Sequence, residues 1–179
     1  MGDAALATSA AFSGDGNVAQ TLDQAIALRA KFLTEYQDAK YAAQYTQLMQ
    51  RVRRTENEKA GGRAGLSEAV ARYLFKLMAY KDEYEVARLY TSGDFEKRVR
   101  ETFDGDIKVT VNLAPPIFAK KDADGHGRKS EYGPWVFTAF KLLKRFKFLR
   151  GGALDPFGKT AERRMERQLI VDYRSLLEE

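Results

Sequence analysis

Three short strings in this sequence have the residue types and spacing of sites that hold phosphate or a divalent ion. Gly14-Asp15-Gly16 opens like the motif that seats magnesium and the diphosphate of thiamine diphosphate, in which an Asn pair follows downstream. Here that place is taken by Tyr41-Ala42-Ala43-Gln44-Tyr45, and no strand pattern precedes the glycines, so the motif is incomplete. Asp122, Asp124 and His126 imitate the first ligands of a calcium loop, with Gly127 at its glycine position. The closing bidentate Glu falls at Gly133, so a turn at Asp124-Gly125 is the better reading. Gly158-Lys159-Thr160 resembles the tail of a phosphate-cradling Walker A loop, but its leading glycine is replaced by Ala153 and no strand precedes it. His126 is the single histidine and stands at a polar tip with no partner for acid–base work.

The chain has 179 residues, a formal charge of +5 and no cysteine. Without thiolates there is no disulfide framework, no thiolate-held iron–sulfur cluster and no cysteine nucleophile. A reducing, cytoplasmic setting is expected. At 44% hydrophobic the chain can bury a core, and the default is one domain, residues 20–179, behind an Ala/Ser/Gly-rich leader over 1–19. No apolar run suits a membrane span, and no secretory signal opens the chain. The Met-Gly start lacks the hydroxyl residue of a myristoylation signal, having Leu6 there, and reads as a cloning scar.

The hydrophobic period places the elements. Thr21-Leu22-Asp23-Gln24 has the spacing of a capping box, followed by an apolar face of Leu22, Ile26, Leu33 and Tyr36. Tyr41, Tyr45, Leu48 and Val52 continue that face past a break near Gln37-Asp38, as a helical hairpin arm or one extended helix. Tyr36, Tyr41 and Tyr45 could stack bases, but their helical spacing suits packing. Arg51, Arg53, Arg54 and Lys59 with Glu56 and Glu58 read as a solvated helix end, stopped by Gly61-Gly62 and Gly65. Ser67 caps the next helix, which buries Val70, Leu74, Leu77 and Met78 while Tyr73 and Phe75 widen its apolar arc. Asp82 and Glu85 allow a fresh capping box, and Asp94 starts a short helix carrying Lys97, Arg98 and Arg100 outward.

After Asp104-Gly105 the pattern alternates: Ile107, Val109, Val111 and Leu113 share one side, Lys108, Thr110 and Asn112 the other. That is a strand with one buried face, interrupted at Pro115-Pro116 and returning through Asp124-Gly125. The fold class expected is therefore α+β, mostly α, with a small antiparallel ribbon around residues 106–132. Gly133-Pro134 then begins the most apolar helix, 134–150, whose charges Lys141, Lys144, Arg145, Lys147 and Arg150 are all positive. Either it docks an acidic protein, a phosphate or a membrane surface, or these stems lie over apolar surface with their charges in water. Thr160 caps a last helix with Ala161, Met165, Leu169, Tyr173 and Leu176 inward and Arg163, Arg164 and Arg167 exposed. Lys141, Lys144, Arg145, Arg163, Arg164 and Arg167 are the candidate docking residues; no residue has a catalytic, cofactor-binding or metal-ligating signature.

The strings EAVARYLFKLMAYKDEYEVARLYTSGDFEKRVRETF, KVTVNLAPPIFAKKDADGHGRKSEYGPW and ALDPFGKTAERRMERQLIVDYR, with TLDQAIALRAKFLTEYQ before them, resemble the C-terminal region of bacterial indolepyruvate ferredoxin oxidoreductase. The resemblance covers Thr21 to the end and lies in the order of long strings. It implies a terminal domain cut from an enzyme that uses thiamine diphosphate, magnesium and 4Fe-4S clusters. Such an enzyme oxidatively decarboxylates an aryl 2-oxoacid to an acyl-CoA and reduces ferredoxin. None of those cofactor motifs has a counterpart in this chain, so the piece is expected to be a non-catalytic support or interface domain. Its expected partners are the other domains or protomer of the parent. An independent nucleic-acid-binding module using the same six cations is the alternative, and it predicts binding that weakens steeply with salt.

Overall fold

The computed structural model describes residues 21–113 and 130–178. The leader with its Gly14-Asp15-Gly16 string, Pro115-Pro116, and the turn carrying Asp122, Asp124 and His126 lie outside the described residues.

The first two helices form a hairpin. Gln24 N–H donates to Thr21 Oγ1 and Thr21 N–H to Gln24 Oε1, both at 3.2 Å, closing the expected box on α1, Leu22–Tyr36. Asp38 then accepts from Tyr41 N–H at 2.7 Å and starts α2, Ala39–Ala60. Asp23 at the head of α1 pairs with Arg53 late in α2, so the two helices run antiparallel. The sequence break near Gln37-Asp38 is a turn.

Gly61 and Gly62, both at positive φ, carry the chain into α3, Gly65–Met78. Two expectations fail here for one reason. Ser67 lies inside the helix rather than capping it, and Glu56 is buried rather than solvated. Glu56 reaches across from α2 and accepts from Leu66 N–H at 2.8 Å, Ser67 N–H at 2.9 Å and the Ser67 hydroxyl. A carboxylate from the neighbouring helix thus satisfies the free amides at the α3 start, with the charge sign its dipole favours. The Ser67 hydroxyl, aided by the amides of Ser67 and Leu66, holds the Glu56 carboxyl below its ordinary pKa against the opposing effect of burial.

The first core lies between α1, α2, α3 and the last helix: Leu33, Tyr45, Leu48, Met49, Val70, Leu74, Met78 and Ile170. Each such side chain contributes roughly 1.5–3 kcal/mol on leaving water. The tyrosine stripe belongs to this packing. Tyr45, Tyr41 and Tyr36 donate their hydroxyls to the carbonyls of Ala71, Met78 and Tyr80 at 3.0, 2.9 and 2.9 Å, fixing the second half of α3 and the turn beyond it.

Asp82 caps α4, Glu83–Tyr90, accepting from Glu85 N–H at 2.8 Å; the Glu85 carboxylate turns away to Arg88. Gly93, at φ +90°, precedes α5, Asp94–Thr102, whose Lys97, Arg98 and Arg100 are exposed. Strand β1 is only Val111–Leu113, paired antiparallel with β2, Ser130–Tyr132, in the register Val111↔Tyr132. The alternating residues 107–110 form no strand. Continuing that register would set Thr110 opposite Gly133 and Val109 opposite Pro134, where the partner strand has ended in the turn before the next helix and Pro134 has no N–H to give. A second, smaller core joins α4, the ribbon and α6, Trp135–Leu143, through Ala87, Val111, Val136 and Phe140. The molecule is α+β and mostly α, with seven α-helices and one two-stranded sheet among the described residues.

Residues 134–150 are not one helix. After Leu143 the chain tightens into a 3-10 helix, Lys144–Leu149, and turns at Gly151, φ +71°. The last helix, α7, Ala161–Leu176, is capped by Thr160 as expected, but docks on another face. Ile170 is buried with Tyr173 and Leu177 packed beside it, whereas Met165, Leu169 and Leu176 are exposed. The inward stripe runs through the half-buried Arg163, Glu166, Arg167 and Arg174 and the buried Ile170. Its cations face inward because acceptors wait for them there.

Candidate functional site

The basic residues from 141 to 150 divide into two sets. Lys147 Nζ donates to the carbonyls of Glu35 and Thr34 at 2.6 and 3.4 Å, and Arg150 Nη1 donates to that of Tyr36. These are the terminal carbonyls of α1, which have no acceptor role left within the helix. Lys144 Nζ does the same for Thr91 at the end of α4, at 3.1 Å. Positive charge at a helix C-terminus opposes the dipole, for about 0.3–1 kcal/mol per contact at the surface. Burial, with Arg150 and Arg88 nearby, lowers the Lys147 pKa.

Arg150 is the centre of this arrangement. Its Nε and Nη2 meet Asp82 Oδ2 and Oδ1 at 2.5 and 2.9 Å, and its guanidinium lies 3.6 Å from the Tyr36 ring centroid. Both charged side chains are almost wholly buried, 3% and 4% exposed. Burial, the largest influence, lowers the Arg150 pKa; the Asp82 hydrogen bonds together with the charges of Tyr36, Asp82 and Tyr80 outweigh it and hold the guanidinium above its ordinary value. Beside it, Asp155 accepts from Tyr84 Oη–H, Gly151 N–H and Phe157 N–H at 3.1, 2.8 and 3.0 Å, closing the loop that leads to α7.

The six candidate docking cations therefore do not form one patch. Lys144 is committed to Thr91. Arg163, expected to be exposed, pairs with Glu166 at 2.7 Å and Glu83 at 3.6 Å. Arg167, also expected to be exposed, donates to the Gly158 carbonyl at 2.7 Å. Lys141, Arg145 and Arg164 face solvent. Near an anionic surface each cation contributes about 1 kcal/mol, so three scattered charges make a weak polyanion site.

What α6 presents outward is apolar. Val136 and Phe140 fill the second core, and on the other side Trp135, Leu142 and Phe148 are 63, 58 and 68% exposed, with Phe146 between them. Trp135 and Leu142, seven apart on α6, share one face, and beyond them on the 3-10 helix the exposed Phe146 and Phe148 rings lie 6.1 Å apart, extending the exposed apolar surface. Lys141 and Arg145, four apart, border it. Sequence pattern marked this stretch as apolar and basic without telling which half would be buried.

A second, shallower feature was not foreseen: a groove of about 490 Å³ between α3 and α7, lined by Tyr73, Lys76, Leu77, Tyr80, Glu166, Leu169 and Tyr173. The apolar periods that place Tyr73 and Leu77 on α3 and Leu169 and Tyr173 on the last helix are the signals the sequence holds for it. Among the described residues no cluster of three or more His, Cys, Asp or Glu could hold a metal ion, and no helix is long and apolar enough to cross a membrane.

These features describe a mostly helical α+β fold with an exposed apolar face among the described residues. The chain belongs to a family of unknown function, DUF6537, whose model matches residues 22–179. Comparison with curated proteins and with solved structures found no match.

Proposed function

We propose that this chain is a non-catalytic interface domain at the C-terminus of a thiamine diphosphate-dependent aryl 2-oxoacid ferredoxin oxidoreductase of the indolepyruvate type. The observation that carries the interface role is the ridge of Trp135, Leu142, Phe146 and Phe148, large apolar side chains left in water on a helix whose other side is well packed. The parentage rests on the ordered resemblance of the long strings from Thr21 onward. In such an enzyme the cofactor chemistry, acyl-CoA formation and electron transfer to ferredoxin belong to other domains in the cytoplasm, and this domain holds them or a second protomer in place. The nucleic-acid reading is less well supported, because Lys144, Arg163 and Arg167 have intramolecular acceptors.

The test of parentage is the coding frame upstream of residue 1. It should run on into segments carrying the glycine-aspartate-glycine and Asn-pair motif and cysteine clusters. A frame that lacks them, or a purified chain that by itself turns over an aryl 2-oxoacid, overturns the proposal. In the parent enzyme, removal of residues 22–179 is expected to impair assembly while leaving bound cofactor and cluster content per chain unchanged.

A further inference from the structure

We infer that the outward face of α6 and the 3-10 helix is the docking site for an acidic amphipathic protein helix, seated on Trp135, Leu142 and Phe146 with its carboxylates against Lys141 and Arg145. This deepens the interface reading above and rests on it.

Three observations select that occupant. First, the exposed charged side chains that α6 and the 3-10 helix carry, Lys141 and Arg145, are both positive, so the face repels basic partners and complements acidic ones. Second, of the five cations in 134–150, Lys141 and Arg145 are the exposed ones and have no ion pair or hydrogen bond to a side chain among the described residues. Lys144, Lys147 and Arg150 are turned inward to the ends of α1 and α4. Two cations along one edge of an apolar ridge match one or two carboxylates on a helix; a phospholipid surface or a nucleic-acid backbone is recognised by a larger cluster. Third, Trp135 and Leu142 lie about 10 Å apart along α6, roughly two turns, spaced for ridge-into-groove packing against a partner helix, and the exposed Phe146 on the 3-10 helix prolongs that apolar surface. Trp and Phe at such a ridge are the residue types that anchor protein interfaces.

The face is also preorganised. Val136 and Phe140 fix its inner side, and the Trp135 ring is braced by Tyr132 at 5.8 Å between centroids. Side chains held this way lose little freedom when a partner arrives.

The experiment uses the full-length gene product. Leu142 is replaced by photoreactive benzoylphenylalanine, the protein is irradiated, and the adduct is mapped by mass spectrometry. The expected adduct is to a single segment with apolar residues at helical spacing flanked by Asp or Glu. Reversing both border charges, K141E with R145E, should reduce the adduct at least tenfold, and changing the partner's carboxylates to lysines should restore it. Both lysine and arginine positions are exposed, so far-UV circular dichroism and the unfolding midpoint should not change in that variant. The inference is overturned by no protein adduct, by an adduct to a segment without carboxylates, or by an adduct to the same face of a second copy. It is equally overturned if the protein sediments with phosphatidylserine-containing vesicles and not with phosphatidylcholine vesicles, and charge reversal at 141 and 145 abolishes it. A failed parentage shows in the upstream coding frame and leaves the adduct intact; a failed docking face shows as a missing adduct in an otherwise assembled enzyme.

Discussion

Replacing Arg150 with Met isolates the buried ion pair between Arg150 and Asp82. The methionine retains an apolar stem over the Tyr36 ring but removes two hydrogen bonds to Asp82 and one to the Tyr36 carbonyl. Asp82 then stays buried without a countercharge, and breaking one partner of a buried pair costs about 3–5 kcal/mol. Changing Asp82 to Asn in the same chain removes the stranded charge while keeping an acceptor for Glu85 N–H, since Asn caps helices about as well as Asp. The double variant should therefore be more stable than R150M, with a coupling energy of roughly 2 kcal/mol or more in the four-protein cycle. Urea unfolding followed by far-UV circular dichroism reads this directly. With a slope of about 2 kcal/mol/M, R150M should lower the midpoint by roughly 2 M and the double variant by about half as much. A shift below ~0.5 M for R150M, or strict additivity of the two substitutions, would refute the reasoning.

Three further outcomes are expected. In G158A the added methyl collides with Asp155 Oδ2 and lies 2.9 Å from its Cγ; because Asp155 is held by three donors it cannot retreat, and the loss should be about 1–3 kcal/mol in the same urea assay. Burial raises the Tyr36, Tyr41 and Tyr84 phenols well above their ordinary value of 10.0, so their folding contribution is complete below that pH and declines as pH rises toward the folded values. Alkaline ultraviolet titration should show the exposed tyrosines ionising first and these three only as the chain unfolds. The Glu56 carboxyl, held low by the Ser67 hydroxyl, contributes stability above the unfolded value of 4.5 that disappears as pH falls through the folded value. Carbon-13 NMR should place its titration below 4.5 and show it moving upward in S67A.

Local signals were legible. The Thr21-Gln24 box, the break at Gln37-Asp38, and the caps at Asp82 and Thr160 each depend on residues three or four apart, and all are present. What was hidden is non-local. Glu56 caps a helix ten residues on, across a glycine turn, and nothing in its neighbourhood distinguishes it from Glu58. The strand period ran on through Ile107 and Val109, yet a strand extends only as far as its partner, and Gly133-Pro134 ends that partner early. For α7 the apolar face was assigned inward by type, while the acceptors at Gly158, Glu83 and Gln44 drew Arg167, Arg163 and Arg174 to the interior and rotated Met165 and Leu169 outward. The candidate face follows the same logic: composition marked 134–150, and only the positions of the α1 and α4 carbonyls determine which cations remain free.

The inward and outward halves of 134–150 are mechanically one device. A long apolar stretch carrying five cations could turn over on the core, since Trp135, Leu142 and Phe146 are as apolar as Val136 and Phe140. The choice between faces is settled by polar groups. Lys147 and Arg150 can reach the α1 carbonyls, and Lys144 that of Thr91, only when Val136 and Phe140 point inward. An unsatisfied buried carbonyl costs about 1–3 kcal/mol, so the alternative orientation would strand the buried Tyr36 carbonyl at that cost and lose the weaker, more exposed Lys144 and Lys147 contacts as well. It follows that R150M should loosen the ridge as well as lower stability. At a urea concentration where the fold of R150M persists, its Leu142 adduct should weaken even though no residue of the docking face has changed. K141E with R145E should weaken the adduct with stability unaltered. Equal adduct yield from R150M and the parent protein would show that the face is set by its own side chains and not by the bolts beneath it.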